Sequence, residues 1–482
     1  MKINISDVNC KKMLKKNILY DKLVLKKGGN YMSLLNFYLV TDTHFFKNSL
    51  GAYGKEYDEF MRFEQKCFAE TESINNSVFD YLNKTNKTDI VLIAGDLSFN
   101  GEKESHLGFI KLLKELQNNG KKVYVITAGH DFNDNCRGYD NNGIHPVDGT
   151  KREELFDLYY EFGFKDAIAV DKKHLSYVAQ LCDGVRLLAL NNDGTDECRE
   201  TYDEEQIEWI KEQTKKARED GQMMFAMNHY PLLPGQPIFS LIGSAVQKNG
   251  TSITTMLADE GVHLVFTGHM HNQAINEKIT EKGNKIYDVC TGSAIGCPAY
   301  MRFVTIEDSE TVDIKSEPIP DFEWETNGRT CKKYLSDLFD SMILNMLDDM
   351  KYHPDRMIRK IGMGDKKSLE PVFKFVGKRF DTLKVGTICR LLCVKCDKSI
   401  KKMLVKDFAV QLVQNLFAGN QPFKEGTPEG DAFLGVLNRF KFIFKKLNLK
   451  DIDGNPADMF EILKHSAGNY GIDDHNAVLK LK

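Results

Sequence analysis

Short apolar runs recur through the first two thirds of the chain, and each is closed by polar residues. LNFYLV (35–40), DIVLIA (89–94), KKVYVIT (121–127), QMMFAM (222–227) and VHLVF (262–266) have the length and the β-branched and aromatic content of buried strands. DGVRLLALNND (183–193) adds another, and KIYDVCTG, AYMRFVTIE and TVDIKSEPI follow Gly283 as further strands. Helical spacing fills the gaps. Phe60, Phe63, Phe68, Ile74, Val78 and Tyr81 mark a helix within 58–82, and Glu102–Asn119 predicts one closed by Gly120. Asp203–Arg218 opens on acidic residues and ends on basic ones, as a helix dipole favours. Strands alternating with helices predict an α/β layered domain.

After Pro318 and Pro320 the pattern changes. Residues 334–350, 369–383, 400–417 and 431–447 are amphipathic runs separated by Gly and Pro, which predicts an all-α bundle of about four helices. The expected division is therefore a catalytic domain at 32–322 and a helical domain at 323–482. That second domain would dimerise or cap a cleft. Residues 1–31 are Lys-rich and lack the apolar core of a secretory signal. They read either as a leader ahead of a start at Met32 or as a basic arm.

The polar residues that close the strands carry the chemistry. They are Asp42-Thr43-His44, Gly95-Asp96, Ala128-Gly129-His130-Asp131, His229 and Gly268-His269-Met270-His271. Side chains at the ends of successive strands meet in one crevice of an open α/β sheet. Asp and His suit borderline divalent cations such as Mn²⁺, Fe²⁺ or Zn²⁺. Asp42 and His44, two apart on an extended strand exit, can face one ion, and Asp96 can bridge two. Two ions about 3.5–4 Å apart share and acidify a water that attacks phosphorus. His130 is spare in this scheme, free to stabilise the transition state or protonate the leaving oxygen, with Asp131 orienting its ring.

This motif set resembles that of the calcineurin-like metallophosphoesterases, whose pattern is D-x-H, G-D, G-N-H-D, H and G-H-x-H, over residues 34–306. The resemblance implies a four-layer αββα sandwich with a dinuclear centre. Asp42, His44, Asp96 and His271 would hold one metal, Asp96, His229 and His269 the other, and His130 would be catalytic. The stretch GDLSFNGEKESH (95–106), with NHYPLL and TGSAIGCPAYMRFVTI, is similar to bacterial class III cyclic-nucleotide phosphodiesterases that carry a helical C-terminal domain. It implies a small phosphodiester substrate. The Gly that follows D-x-H in protein Ser/Thr phosphatases is absent, since Phe45 follows His44. His106 and Asn133 are candidate substrate residues, with a helix-surface position the other reading of His106.

Gly129 departs from the family pattern, which has a ligating Asn there. Either the second metal keeps Asp96, His229 and His269 with an open position and weaker affinity, or a one-residue deletion gives His130 the Asn role. Asn133, Asp134 or Asn135 are substitutes within reach. The rival reading is a metal-depleted, non-catalytic nucleotide-binding protein on the same fold. His263 is expected in the sheet, and His145 and His174 in solvated loops.

Composition changes this picture little. The net charge of −4 over 482 residues gives no electrostatic reason to expect nucleic acid, and no apolar run reaches membrane length. Eleven cysteines without framework spacing fit a reducing cytoplasm. Cys389, Cys393 and Cys396 have the spacing of radical-SAM clusters but share one face if the segment is helical, so a thiol stripe in the bundle is expected.

Overall fold

The computed structural model describes residues 33–193, 201–360, 370–419, 423–447, 449–468 and 471–482. The leader at 1–31 and the start at Met32 lie outside the described residues. In chain order the strands are β1 (Leu35–Val40), β2 (Ile90–Ala94), β3 (Lys122–Ile126), β4 (Arg137–Asp140), β5 (Gly143–Pro146), β6 (Ala169–Asp171) and β7 (Ser176–Cys182). They continue with β8 (Val185–Ala189), β9 (Met223–Met227), β10 (Leu264–Thr267), β11 (Ala274–Ile279), β12 (Lys285–Cys290), β13 (Tyr300–Ile306) and β14 (Thr311–Pro318). A last strand, β15 (Asn476–Lys480), follows the helical region.

Two mixed sheets form, in the orders β15-β14-β13-β1-β2-β3 and β11-β12-β10-β9-β8-β7-β6. The motif-bearing strands β1, β2 and β3 run parallel in the first, and β8, β9, β10 and β12 run parallel in the second. Their near-continuous apolar sequences fit burial on both faces. The Phe37 ring of β1 stacks on Phe225 of β9 at 5.4 Å, so the sheets pack face to face. Helices α1 (Thr71–Lys84) and α2 (Lys103–Asn118) cover the first sheet through Ile74, Val78, Phe109 and Leu113. Helices α3 (Glu204–Glu219) and α4 (Gly250–Asp259) cover the second through Ile210, Ala217, Ile253 and Leu257. The result is the expected αββα sandwich. Gly120 closes α2 with φ +85°, and the Asp203 carboxylate caps α3 at the Gln206 N–H.

Two expectations about the elements change. The helix expected over 58–82 is broken: a short helix (Lys55–Met61) and α1 flank a loop at 62–70, whose Cys67 N–H donates to Ile295 O at 3.0 Å. The C-terminal segment is not a separate bundle throughout. Strand β15 pairs antiparallel with β14, Leu479 opposite Val312, so the last residues complete the catalytic sheet. Arg302 of β13, fully buried, fastens this closure. It donates to Asp474 O (2.8 Å), Ser316 Oγ (3.1 Å), Cys290 O (2.7 Å) and Thr291 Oγ1 (3.0 Å), tying the first sheet, the second sheet and the chain end together. Truncating at 326 would therefore remove a strand of the catalytic sheet as well as the helices.

Among the described residues seven helices lie between Cys331 and Ala467, more than the four runs suggest, because short ones such as Val385–Leu391 carry too few turns for periodicity to register. That helix ends before Cys393, which is exposed and turns with φ +52°, so the three cysteines do not form one helix face. The helical region docks on the catalytic loops. Gln273 N–H donates to Phe417 O (2.8 Å), Ile452 N–H to Ser240 O (2.9 Å), and the Phe239 and Phe417 rings meet at 5.9 Å. Among the described residues no helix is long and apolar enough to cross a membrane.

Leu479 is 2% exposed and its neighbour Val478 is 60% exposed. Leu479→Ala is expected to cost about 3 kcal/mol in urea denaturation, and Val478→Thr no more than about 0.5 kcal/mol. Equal effects would mean that β15 is not part of the catalytic core.

Candidate metal centre

The motif residues stand at the C-terminal ends of β1, β2, β9 and β10, and the turns that carry them are interlocked. Asp42 N–H donates to Gly95 O (3.1 Å), His44 N–H to Asp96 O (2.9 Å), and Gly268 N–H to His229 O (2.9 Å). These bonds force the turns into the left-handed region: Asp42 (φ +50°), His44 (+36°), Asp96 (+51°), His269 (+68°) and His271 (+53°). Asp42 and His44 thus reach the site by a left-handed turn, where an extended exit was expected. The glycines ahead of two donors have a steric reason. A Cβ on Gly95 would lie 2.7 Å from His229 Nδ1, and one on Gly268 would lie 2.4 Å from Asp42 Oδ2.

Two groups of donors result. Asp42, His44 and His271 form one, and Asp96, His229 and His269 the other, with the donor atoms in each within 4.8 Å of one another. His44 Nε2 and His271 Nε2 face each other at 3.2 Å, and His44 Nε2 is 3.7 Å from both Asp42 Oδ1 and Asp96 Oδ2. Asp96 therefore sits between the groups, its other oxygen accepting the His130 N–H at 3.0 Å. Asp42 is held by Thr41 Oγ1 (2.7 Å) and by the His269 N–H (3.0 Å). His229 Nδ1 donates to Ala94 O (2.8 Å), and His269 Nε2 to Ser244 O (2.7 Å). Each such bond fixes the ring and leaves its other nitrogen for a ligand, as ligating histidines require.

Burial opposes charge on both carboxylates. For Asp42 the His271 and His229 rings overcome it, and for Asp96 His229 and His130 lead, holding both acids below the usual range. Burial opposes charge on His229 as well, but Asp96 and Asp42 raise it to about 10, while burial takes His269 down to about 4. His229 Nε2, His44 Nδ1 and His271 Nδ1 are buried without hydrogen-bond partners. His229 Nε2 lies 3.0 Å from Asp96 Oδ2, and His44 Nε2 and His271 Nε2 both approach Asp42 Oδ1, at 3.7 and 3.2 Å; imidazole nitrogens gathered on two carboxylates are what divalent cations with mixed nitrogen and oxygen coordination need, so the residues fit metal.

Residues 35–273 match the family model described as calcineurin-like phosphoesterase. The chain carries a calcineurin-like metallophosphoesterase domain. Solved structures similar to it include a dimetal phosphatase from Danio rerio, at 12% identity and TM-score 0.44, covering 60% of this chain and 98% of that one. A purple acid phosphatase from Lupinus luteus matches at 14% identity and TM-score 0.39, covering 60% of this chain and 52% of that one. The NAD nucleotidase of Haemophilus influenzae matches at 14% identity and TM-score 0.31, covering 73% of this chain and 61% of that one. No curated protein matches the chain.

Beside the donors of this metallophosphoesterase domain lies a cleft of about 710 Å³, lined by Gly129, His130, Asn133, Arg152, Asp193 and Tyr230 among others. Asn133 lines that cleft. His106 does not: it is fully buried in α2, bonded to Tyr159 Oη (2.7 Å) and to Asp131 O (2.9 Å), so it braces the His130 loop and cannot meet substrate. Asp131 also changes role. Its Oδ1 accepts the Leu97 and Ser98 N–H groups (both 2.8 Å) and its Oδ2 the Ala128 N–H (2.8 Å), which turns it away from the His130 ring. His130 Nδ1 is left without a partner, and burial, followed by the charge of Lys66, lowers the ring to about 4. Asp193, Tyr230 and Arg152 were missed. For Asp193 a signal existed, since it ends the NND that closes the β8 run.

Gly129 borders the cleft next to His130. A Cβ there would stand 3.5 Å from Tyr230 Oη, ordinary contact, and the Tyr230 ring lies 4.0 Å from that of His269. An added side chain there has room beside the tyrosine hydroxyl.

A third donor group, His174, Asp203 and Glu205, is already satisfied. His174 was expected in solvent but is 2% exposed, its ring clamped by Asp171 Oδ2 (2.6 Å) and Asp203 Oδ2 (2.9 Å), with Lys173 pairing Asp203 and Glu205. His145 sits on β5 with Nε2 donating to Leu50 O (3.1 Å), and His263 donates to Lys285 O (2.6 Å) beside β10.

Two outcomes follow from this geometry. Gly129→Asn is expected to tighten the second metal site about tenfold, the scale of one supporting group, read as metal retained against a chelator. Unchanged retention would mean that Tyr230 or water already completes the site. At His174, burial opposes protonation but Asp171 and Asp203 outweigh it and raise its pKa. Its stabilisation is then complete below the unfolded value and fades as pH rises through the folded one. His174→Gln is expected to cost about 2 kcal/mol at about pH 6 and clearly less at about pH 9, measured by urea denaturation. Equal losses would contradict the clamp.

Proposed function

We propose that this protein is a cytoplasmic, metal-dependent phosphoesterase that hydrolyses a small phosphodiester, with a cyclic nucleotide the class favoured by residues 95–106. The observation that carries this reading is the meeting of two three-donor groups at a polar cleft edged by His130. Asp42, His44 and His271 would hold one divalent cation (Mn²⁺, Fe²⁺ or Zn²⁺) and Asp96, His229 and His269 a second, with Asp96 between them. Bound there, the cations supply Lewis acidity toward phosphoryl oxygens and toward water.

The chain's own residues do the positioning. The Ala94 carbonyl keeps the proton of His229 on Nδ1, so Nε2 faces inward. His130 is neutral near pH 7, and with no acceptor near Nδ1 its proton belongs on Nε2, the nitrogen open to the cleft. There it donates a hydrogen bond to a phosphoryl or leaving oxygen, a stabilising role that needs no carboxylate partner. The helical region steadies the loops at 236–246 and 270–273 that border the site. A second reading, a non-catalytic nucleotide-binding protein, is favoured by Gly129 alone.

The test is hydrolysis of bis-p-nitrophenyl phosphate, p-nitrophenyl phosphate and cyclic nucleotides by protein loaded with counted metal. Diesters are expected to turn over, and His130→Ala to lower kcat roughly 10²–10⁴-fold with metal content unchanged. Protein that carries two ions and cleaves no phosphate ester would replace this reading with the second.

A further inference from the structure

The wall of the cleft beside the donors carries a guanidinium whose bonding is incomplete. Arg152 lines that cleft and is half-buried, and its Nε and Nη2 are buried without hydrogen-bond partners. Its Nη1 is engaged, donating to Lys173 O at 3.2 Å. Nε and Nη2 share one edge of the guanidinium and point their N–H bonds in parallel, so the part left open is the fork that takes two acceptors at once. Arg302 shows the contrast: there Nε, Nη1 and Nη2 all have partners. A buried donor left unbonded costs free energy that a ligand acceptor recovers.

An acceptor in the same wall is also left open. Asp193 is 7% exposed and lines the cleft. Its Oδ2 accepts Asn191 Nδ2 at 2.7 Å, while Oδ1 is buried without a partner, so the acid and the guanidinium do not satisfy each other. Both are held from behind. The Asp193 N–H donates to Asn191 Oδ1 (2.9 Å), and Asn191 Nδ2 donates also to Thr127 O (2.8 Å). Arg152 follows Thr150, whose N–H donates to Gly101 O (2.8 Å) and whose carbonyl accepts the Asn133 N–H (3.0 Å). Groups fixed before a ligand arrives lose little freedom when it binds.

The two groups together restrict the ligand. A carboxylate or a second phosphate would fill the fork but would meet Asp193, and Asp134 and Glu153 line the same cleft against Lys151 and Arg152. Like charges at a desolvated wall oppose a further anion. A neutral ring that sets two acceptors beside a donor meets both groups. Guanine does so: O6 and N7 suit an arginine fork, and the N1–H next to O6 suits a carboxylate. Adenine puts an amino donor beside N7, which turns one arm of the fork away. Cytosine also pairs two acceptors with a donor, but its single ring gives less area to Phe132 and Tyr230, the large aromatic surfaces of the cleft.

We infer that Arg152 and Asp193 form a guanine-recognition pair, the Arg152 fork taking O6 and N7 and Asp193 Oδ1 the ring N–H. This rests on the phosphoesterase reading above and narrows its substrate to guanine nucleotides.

The test uses the full chain loaded with Mn²⁺ and titrated by calorimetry with GMP, AMP, CMP and inorganic phosphate, with metal content and melting temperature measured in parallel. GMP is expected to bind about tenfold or more tighter than AMP, the worth of one bidentate base contact. Arg152→Lys keeps the charge and removes the fork. It is expected to bring GMP down to the AMP level while AMP affinity, metal content and melting temperature hold. Asp193→Asn gives an independent check. Its amide oxygen must stay toward Asn191 Nδ2, which turns the NH₂ group against the guanine N–H, so the GMP preference is expected to fall there as well. Equal GMP and AMP affinity in the wild type, or CMP bound more tightly than GMP, would overturn the assignment. So would a parallel loss of GMP, AMP and inorganic phosphate in Arg152→Lys, which would make Arg152 an anion site. A lower melting temperature with the GMP preference intact would make it a structural residue instead. Arginine-dependent GMP preference in a protein that cleaves no ester would defeat the hydrolase reading and leave this one standing. Hydrolysis of phosphodiesters with no discrimination among bases would do the reverse.

Discussion

The site depends on a backbone that five of its six donors could not adopt alone. Asp42, His44, Asp96, His269 and His271 all stand in the left-handed region, where a non-glycine residue costs on the order of 1–2 kcal/mol. Together that is comparable to the net stability of an ordinary domain. Such strain persists only where the surroundings over-determine it. Here the surroundings are two parallel strand bundles whose exit turns hydrogen-bond to one another, β1 to β2 and β9 to β10, and whose sheets are clamped face to face by the Phe37, Phe225 and Phe266 rings. The strained turns point carboxylates and imidazoles inward against one another, the arrangement in which divalent cations would be held. Fold stability and site chemistry therefore draw on the same interlocked turns.

That dependence explains the reach of the catalytic unit. β1 is flanked by β2 and by β13, β13 by β14, and β14 by the last strand of the chain. The sheet is completed only when residues from 35 and from 480 are both in place. Arg302 makes the closure specific, because its four hydrogen bonds join partners from three parts of the chain. The helical region is thus an insertion between two strands of one sheet, and its contacts at Gln273, Ser240 and Phe239 fall on the loops that follow His229 and His271. Whatever it does for substrate, it cannot be mechanically independent of the centre.

Most of the fold and the donor set were legible because they lie in local signals. Buried parallel strands are continuous apolar runs, and Asp or His at their ends has few structural uses. What escaped the sequence was set by distant partners. Nothing local distinguishes Asp131, which faces backbone amides at 97 and 98, from a carboxylate facing its neighbour His130. His106 has the apolar-helix context of a surface cap, yet the turn at Tyr159 and the carbonyl of Asp131 enclose it. Helical periodicity ran straight through 62–70 because Phe63 and Phe68 keep the spacing, although the backbone leaves the helix to bond with Ile295. The C-terminal strand, NAVLK, is too short to register as a strand until β14 is beside it.

The cleft beside the donors limits what can bind there. Its walls offer Asn, Thr, Lys, Arg and Asp side chains, with Phe132 and Tyr230 the large aromatic surfaces. A ligand held mainly by apolar burial would find little to bury. A phosphate ester with a small polar or heterocyclic substituent finds both an anion site and donors for its remainder. Arg152 strengthens that reading: its Nε and Nη2 are buried without partners, while Nη1 donates to Lys173 O at 3.2 Å, so the guanidinium is held in place with capacity to spare. Asp193, pushed by burial up to about 6, stands in the same wall with one oxygen unbonded. A donor and an acceptor both left open at one wall suit recognition of a group that offers both, such as the edge of a heterocyclic base or a sugar hydroxyl. The polar wall and the metal-ligand pattern, argued from different residues, are both compatible with the phosphate-ester reading proposed above.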